Sequence, residues 1–321
     1  MQSDNMYEIN NDPRLLNKYI DCNVYYENEG RFGLYKKKGV AFDPYRMKFG
    51  KHPDHLYISI HDRIGKVKNE AKRLNTKLAR DIKSNPVRAK QRMSEVVAVI
   101  LSEPRSEVLE DMKDTIDIIV DEYLSSPDVL KNLTRIYVKD YSTQLHLTNV
   151  MLFCLGYANE AGYNNDDMKL FGLMGLLHDV GKVDIPDEIL SAPRKLSNDE
   201  FETIKKHPRR GWQMLKECNF DHTIPTCALE HHERLDGSGY PEGKKSVELS
   251  DYSKAMSIVD VYEALTTWRP YKDPMIPKQA LKLMVQEVDD NKLDGHIFKE
   301  FVHCVVGLTD KNDTIQSLRY R

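Results

Sequence analysis

A chain of 321 residues exceeds what one hydrophobic core usually supports, so two domains are expected. The charged fraction is 30%, the hydrophobic fraction 40% and the net charge −3, a balance that suits a globular protein and supplies no global attraction to DNA or RNA. No stable nucleic-acid partner is therefore expected. The longest apolar runs, such as Leu170–Leu177, fall far short of the roughly 20 residues a bilayer span needs, and the polar Met1–Asn10 stretch lacks the apolar segment of a secretory signal. No transmembrane segment is expected. Five cysteines (Cys22, Cys154, Cys218, Cys227 and Cys304) without a C-x-x-C pair point to buried thiols in a reducing, cytoplasmic setting.

The first part of the chain, to about Asn75, mixes short β-forming runs with turns. Val24–Tyr26, Phe32–Tyr35 (aromatics on either side of Gly33) and Leu56–Ile60 read as strands, and Lys38–Gly39 as a turn. This predicts a small α/β module. From Arg63 to Arg92 the chain carries eleven Lys/Arg against Glu70 and Asp81, and reads as helix until Asn85–Pro86 interrupts it. The basic stretch is either a docking face for an anionic partner or a solvated helical face. Val108, Met112, Ile116, Ile119 and Tyr123 recur at spacings of four and three, which predicts a linker helix over Ser106–Leu124, either a dimer stalk or a plain connector. Ser125–Ser126–Pro127 closes it. The chain is thus divided into an N-terminal module over 1–125 and a second domain over 126–321.

Beyond Asp128 the pattern is helical: Asp140–Ala161, Asp166–Leu177, Asn198–Cys218, Ile224–Glu233, Ser250–Thr267, Pro277–Val288 and His296–Val306. Ser197 precedes Glu200 at capping-box spacing, and Pro277 suits a first helical turn. The fold class is therefore α+β overall, with an all-α C-terminal domain that carries its chemistry at helix ends and loops.

Five of the eleven histidines stand out in this domain by their arrangement, in the order His146, His178–Asp179, His207, His231–His232, followed by Asp260. Imidazole and carboxylate together suit divalent iron, manganese or zinc, and the number of donors exceeds what one tetrahedral ion needs. With one carboxylate bridging, they fill two adjacent sites and leave positions for water. His178 and Asp179 end the apolar helix Leu170–Leu177 shortly before Gly181, which is expected to allow a sharp exit. His231–His232 precede the turn-rich Asp236-Gly-Ser-Gly-Tyr-Pro241, and Asp260 emerges from an apolar segment where a carboxylate is expensive unless it meets a cation. His52, His55, His61, His222, His296 and His303 are read as ordinary surface or core residues.

Four ordered blocks resemble the signatures of HD-GYP phosphodiesterases: His178-Asp-Val-Gly-Lys182 running to Leu190, His207-Pro-Arg-Arg-Gly211, His231-His-Glu-Arg-Leu-Asp-Gly-Ser-Gly-Tyr-Pro241, and Asp260-Val-Tyr-Glu running to Lys272. The resemblance covers about Lys139 to Thr309. It implies a helical HD-superfamily fold and a pair of metal ions, often iron or manganese. His146, His178, Asp179 and Asp260 would serve one ion and His207, His231 and His232 the other, with Asp179 bridging. A metal-bridging hydroxide would attack phosphorus in line. Lys182, Arg269 and Lys272 correspond to positions that hold the phosphates, so Asp179 and Lys182 are the expected catalytic residues. Tyr240 would stack on a base, bond a phosphate or pack, and Gly239 and Pro241 restrict its loop. Some members carry a glutamate one turn before the first histidine that helps hold a third metal; Ser142 stands there, which argues for two. Asp184, where a small residue is common, is close in sequence to Lys182.

The implied function is hydrolysis of a cyclic dinucleotide, cyclic di-GMP to linear pGpG or GMP. Two alternatives stand beside it: a phosphodiesterase specific for cyclic GMP-AMP, and a metal- and nucleotide-binding signalling protein that acts through partners at the Gly239-Tyr240-Pro241 loop. A third reading, another HD-superfamily nucleotide phosphohydrolase, is disfavoured by the Gly-Tyr-Pro block. The N-terminal module resembles those preceding other HD-GYP domains, which implies sensing, partner binding or a homodimer.

Overall fold

The computed structural model describes residues 5–308 apart from 44, 46–48, 50–52, 127, 135, 137–141 and 270–272. The chain divides into two compact units, Met1–Glu70 and Ala71–Arg321, so residue 125 lies inside the second. The division falls within one long helix, Ile60–Ser84.

The first unit is built on an antiparallel sheet of β1 (Met6–Ile9), β2 (Val24–Asn28), β3 (Arg31–Lys36) and β4 (Leu56–Ser59), in the order β1-β4-β2-β3. The expected strands are present. β1 has no counterpart in the sequence reading, because four residues containing a glutamate give too little alternation to register. The β2–β3 hairpin turns on Glu29 and Gly30, both at positive φ (50° and 74°), the backbone a two-residue turn needs to follow strand twist. At Gly33 a Cβ would lie 2.6 Å from the Tyr26 ring across the pair, so the glycine makes room for that ring. Ile9, Leu16, Cys22, Val24, Phe42, Leu56 and Ile58 form the core of this unit.

The second unit is helical. The Ile60–Ser84 helix ends where Asn85 caps the next, Pro86–Leu101, by accepting from the Arg88 amide at 3.1 Å. The basic face is one side of an amphipathic helix, since Ile64, Val67, Ala71, Leu74, Leu78 and Ile82 are buried at helical spacing. The predicted linker helix is divided into Ser106–Leu109 and Met112–Ser125. It does not stand apart: Ile116 lies against Gly172 of helix Asn165–Leu177, where an added Cβ would approach it to 2.9 Å. The Asn198–Cys218 segment is likewise two helices, Asn198–Ile204 and His207–Lys216, and the Ser197–Glu200 capping box is present.

Helix Thr143–Glu160 is central. It packs on Asn165–Leu177, Pro86–Leu101, Asp251–Thr266 and Gly295–Leu308. Ser142 serves as its N-cap, accepting from the Leu145 amide at 3.2 Å. Gly175 lets helix Asn165–Leu177 approach closely, because a Cβ there would fall 2.6 Å from Met151 Cα. All five cysteines are buried and none is in a disulfide. Among the described residues no helix is long and apolar enough to cross a membrane.

Candidate metal centre

Five helices deliver the predicted donors to one place. His146 lies in the first turn of Thr143–Glu160, and His178 and Asp179 follow Asn165–Leu177. His207 opens His207–Lys216, His231 and His232 follow Thr223–Glu230, and Asp260 sits in Asp251–Thr266. Gly181 acts differently from its expected part. Its φ is not left-handed; a Cβ would fall 2.1 Å from the His207 carbonyl and 2.5 Å from the Gly211 amide. The missing side chain lets the Val180–Asp184 turn press against the His207 helix, which brings Asp179 and His207 together.

The donors form two groups that share Asp179: His146, His178 and Asp179, and Asp179, His207, His231 and His232. In each group the ligand atoms lie within 4.8 Å of one another. Asp179 Oδ2 is 3.4 Å from both His146 Nε2 and His178 Nε2, while Oδ1 is 3.0 Å from His207 Nε2 and 3.5 Å from His231 Nε2. One carboxylate thus presents one oxygen to each group. Asp260 Oδ1 stands 3.4 Å from His146 Nε2, and its Oδ2 3.9 Å from His232 Nδ1.

The chemistry of these atoms fits a cation. Nδ1 of His178, His207 and His231 donates to the carbonyls of Gly175, Ile204 and Ala228 at 3.0, 2.7 and 2.9 Å. A carbonyl only accepts, so Nδ1 carries a proton in each ring, and Nε2 is the atom turned inward. Burial keeps His207 below its usual value and His231 down to about 4, so both are neutral at pH 7. Their Nε2 atoms are 3.3 Å apart and face Asp179 Oδ1, a buried oxygen that accepts no hydrogen bond. Three lone-pair donors converge on a point with no proton among them. A divalent ion satisfies all three.

Charge gives the same answer for the other group. Asp179, Asp260 and Glu263 are buried. Burial opposes their ionisation, yet Lys182 and His178 hold Asp179 well below the carboxylate range, His178 and His146 lower Asp260, and His146 lowers Glu263. Among these carboxylates Lys182 pairs with Asp179 Oδ2 and His146 with Glu263. Despite its burial, His146 is raised to about 10 by Glu263, Asp179 and Asp260. A buried ion costs several kcal/mol unless compensated, and a cation held among these carboxylates would add to that compensation.

Glu263 was not singled out in the sequence. Its Oε2 lies 2.5 Å from His146 Nδ1, and its Oε1 accepts from Asn149 Nδ2 at 2.9 Å. Glu263 is one turn beyond Asp260 and Asn149 three residues beyond His146, so helical spacing from each predicted ligand was the available signal. Glu233 was also missed. It collects the backbone amides of Glu242, Gly243 and Lys244 at 2.7, 3.1 and 3.1 Å and so closes the loop after His232. In that loop a Cβ on Gly239 would fall 2.4 Å from the Arg234 amide nitrogen, and Tyr240 stacks on His232 with ring centroids 4.7 Å apart.

Lys182, His232, Tyr240 and Arg269 line one cavity of about 640 Å³ beside the donor cluster. Lys272 lies outside the described residues. Asp184 pairs with Arg210, and Lys182 with Asp179. Of the histidines set aside, His55 pairs with Glu8 at 2.6 Å, and the His222 and His296 side chains are largely exposed.

A helical fold that gathers paired His-Asp donor groups has the form of an HD domain. The family model described as HD domain matches residues 126–297. Together with the intact Gly239-Tyr240-Pro241 block, this match identifies the chain as a member of the HD-domain family, in its HD-GYP branch. It is 34% identical over 193 residues to the cyclic di-GMP phosphodiesterase PA4108 of Pseudomonas aeruginosa, covering 60% of this chain and 46% of that protein. It is also 34% identical over 183 residues to 3′3′-cGAMP-specific phosphodiesterase 1 of Vibrio cholerae, covering 57% and 42%. These matches span less than half the length of either relative. The solved structure of Bd1817, an HDG"Y"P protein from Bdellovibrio bacteriovorus, shares the fold with a TM-score of 0.60 at 22% identity, over 88% of this chain and 93% of that one.

Proposed function

We propose that residues 126–321 hydrolyse a phosphodiester bond of a cyclic dinucleotide, cyclic di-GMP foremost, to the linear dinucleotide or the mononucleotide. The observation that carries this reading is the donor cluster on both oxygens of Asp179, opening onto a cavity lined by Lys182 and Arg269. The relatives that act on cyclic di-GMP and on 3′3′-cGAMP match it at equal identity, so the cyclic GMP-AMP substrate is the second reading.

In this account His146, His178 and Asp260 hold one divalent ion, His207, His231 and His232 hold a second, and Asp179 contributes to both. Imidazole and carboxylate donors without a thiolate suit iron or manganese. The pair of ions supplies Lewis-acid stabilisation of phosphoryl charge and activates water at neutral pH. Glu263 fixes the orientation of His146, and the backbone carbonyls of Gly175, Ile204 and Ala228 fix the other rings. Lys182, Arg269 and Lys272 orient the phosphates and oppose the charge that develops on the departing 3′-oxygen. Tyr240, stacked on His232, lines the cavity.

The test is product analysis after incubating protein loaded with manganese or anaerobically with iron. Linear dinucleotide or mononucleotide from cyclic di-GMP, formed faster than from 3′3′-cGAMP, bears the reading out. Preference for the latter selects the second substrate. Binding of either nucleotide without product turns the reading into that of a signalling protein.

A further inference from the structure

The cavity beside the donor cluster is also lined by residues of Ile189–Ile204, a wall that lies beyond the recognised motifs from Ser191 onward. This wall is built rather than loose. Arg194 grips Glu200 with two hydrogen bonds of 2.8 and 2.7 Å, while Glu200 and Ser197 cap one another at 2.8 and 3.2 Å. The short helix Asn198–Ile204 then holds Phe201 at the cavity. Phe201 is a large aromatic left 45% exposed, on a helix whose position is fixed on both sides.

Rings lead to it from the donor cluster. His232 stacks on Tyr240 at 4.7 Å with 31° between planes, and Tyr240 meets Phe201 edge-on at 6.4 Å and 77°. Lys205 Nζ, paired with Glu202 at 2.7 Å, stands 5.0 Å from the Phe201 centroid and 5.8 Å from that of Tyr240, which restrains both rings. The cavity therefore joins the cations Lys182 and Arg269 to a wall that offers the aromatic Phe201 with the aliphatic Ile189, Leu190 and Leu196, Arg194 and Lys195 lining it as well. A nucleotide has this same polarity, a phosphate joined through a ribose to a flat base. An apolar pocket with a few convergent charges is the form small-molecule sites take.

We propose that this wall is a base subsite, with Phe201 the surface on which one purine of the substrate stacks while its phosphate lies toward Lys182 and Arg269. This rests on the nucleotide reading above and adds to it a residue that sets binding strength. Stacking on an aromatic side chain tolerates any base, so Phe201 governs affinity for the nucleotide, and the choice between guanine and adenine lies elsewhere.

The experiment compares binding of GMP, AMP and ribose 5-phosphate to the metal-loaded full chain by calorimetry, with no turnover involved. The base should improve affinity about 5- to 150-fold over ribose 5-phosphate in the wild type, the range expected for one stacked base. Phe201→Ala should remove most of that advantage, Phe201→Leu should remove nearly as much, and Phe201→Trp should restore it. Metal content and thermal stability should be unchanged in all three, because the side chain is partly exposed. A base advantage that survives in Phe201→Ala overturns the proposal, and a Phe201→Leu variant equal to wild type overturns stacking in particular. If the wild type shows the base advantage and its loss in Phe201→Ala but cleaves no cyclic dinucleotide, the subsite stands and the hydrolase reading fails. If it cleaves with KM unaltered by Phe201→Ala, the reverse holds.

Discussion

Glu263 stands one helical turn from Asp260 and places Oε2 2.5 Å from His146 Nδ1, so a carboxylate outside the donor groups dictates how the first histidine of the cluster is presented. Asn149 holds the other oxygen at 2.9 Å, and Glu263 is wholly buried. Such outer partners orient the imidazole and raise its basicity as a ligand.

Replacing Glu263 should therefore weaken metal binding with every predicted ligand intact. Glu263→Gln keeps an acceptor for Nδ1 but not the charge, and should lower affinity about 10-fold, with Glu263→Ala nearer 100-fold. Chelator competition measures this directly. Affinity equal to wild type in both variants would show that His146 needs no such support.

Gly181 makes a structural prediction. A Cβ there meets the backbone of His207 and Gly211, which cannot yield without moving His207 away from Asp179. Gly181→Ala should destabilise the fold by about 1–3 kcal/mol, as overpacking does, and should also reduce bound metal. Thermal denaturation and metal analysis of the same preparation check both. An unaltered melting temperature would contradict the packing described.

Much of this arrangement was legible in the sequence, and the limits have physical reasons. The gathering of these seven side chains was legible because imidazole and carboxylate groups at helix ends are costly to bury without a cation, and their order matched known blocks. The helices Asp166–Leu177 and Ser250–Thr267 were legible within a residue at each end, and the structure caps them with Asn164 and Ser250. The break inside Ser106–Leu124 was not, because Val108, Met112 and Ile116 keep helical spacing across Glu110–Asp111 and are buried on both sides of it. Gly181 was taken for a turn glycine because its neighbour, the His207 backbone, is remote in sequence. Phe201 carries no local signal at all, since its surroundings come from Leu190 and Tyr240.

Lys182 occupies Asp179 Oδ2 and lines the cavity, so it sits between the ligands and the phosphates. Lys182→Ala removes a competitor for that oxygen and should leave metal binding undiminished. Turnover should fall about 100-fold, the loss typical of one charge-stabilising donor. Wild-type turnover would remove Lys182 from the reaction, and loss of metal would assign it to holding Asp179.

Lys90 predicts a pH effect. It is buried, donates to the Ile136 carbonyl at 2.8 Å, and burial lowers it to about 8 against Glu263's opposing pull. The unfolded chain keeps this proton up to about pH 10.5, so between pH 8 and 10.5 it binds more protons than the folded one. Stability from this group therefore rises with pH through that window and is flat below it. Between pH 7.5 and 9.5 the wild type should gain about 2 kcal/mol relative to Lys90→Met, measured by denaturant unfolding at both values. A constant difference between the two proteins would mean that Lys90 titrates normally.

The most direct measurement is metal per chain, with cyclic di-GMP cleavage followed in the same samples, for wild type, His146→Ala, His207→Ala and Asp179→Ala. The account predicts two ions in wild type, about one in each histidine variant, and loss of both ions and all cleavage in Asp179→Ala. Two ions retained in Asp179→Ala, or cleavage that persists there, would contradict a centre built on the two oxygens of one carboxylate.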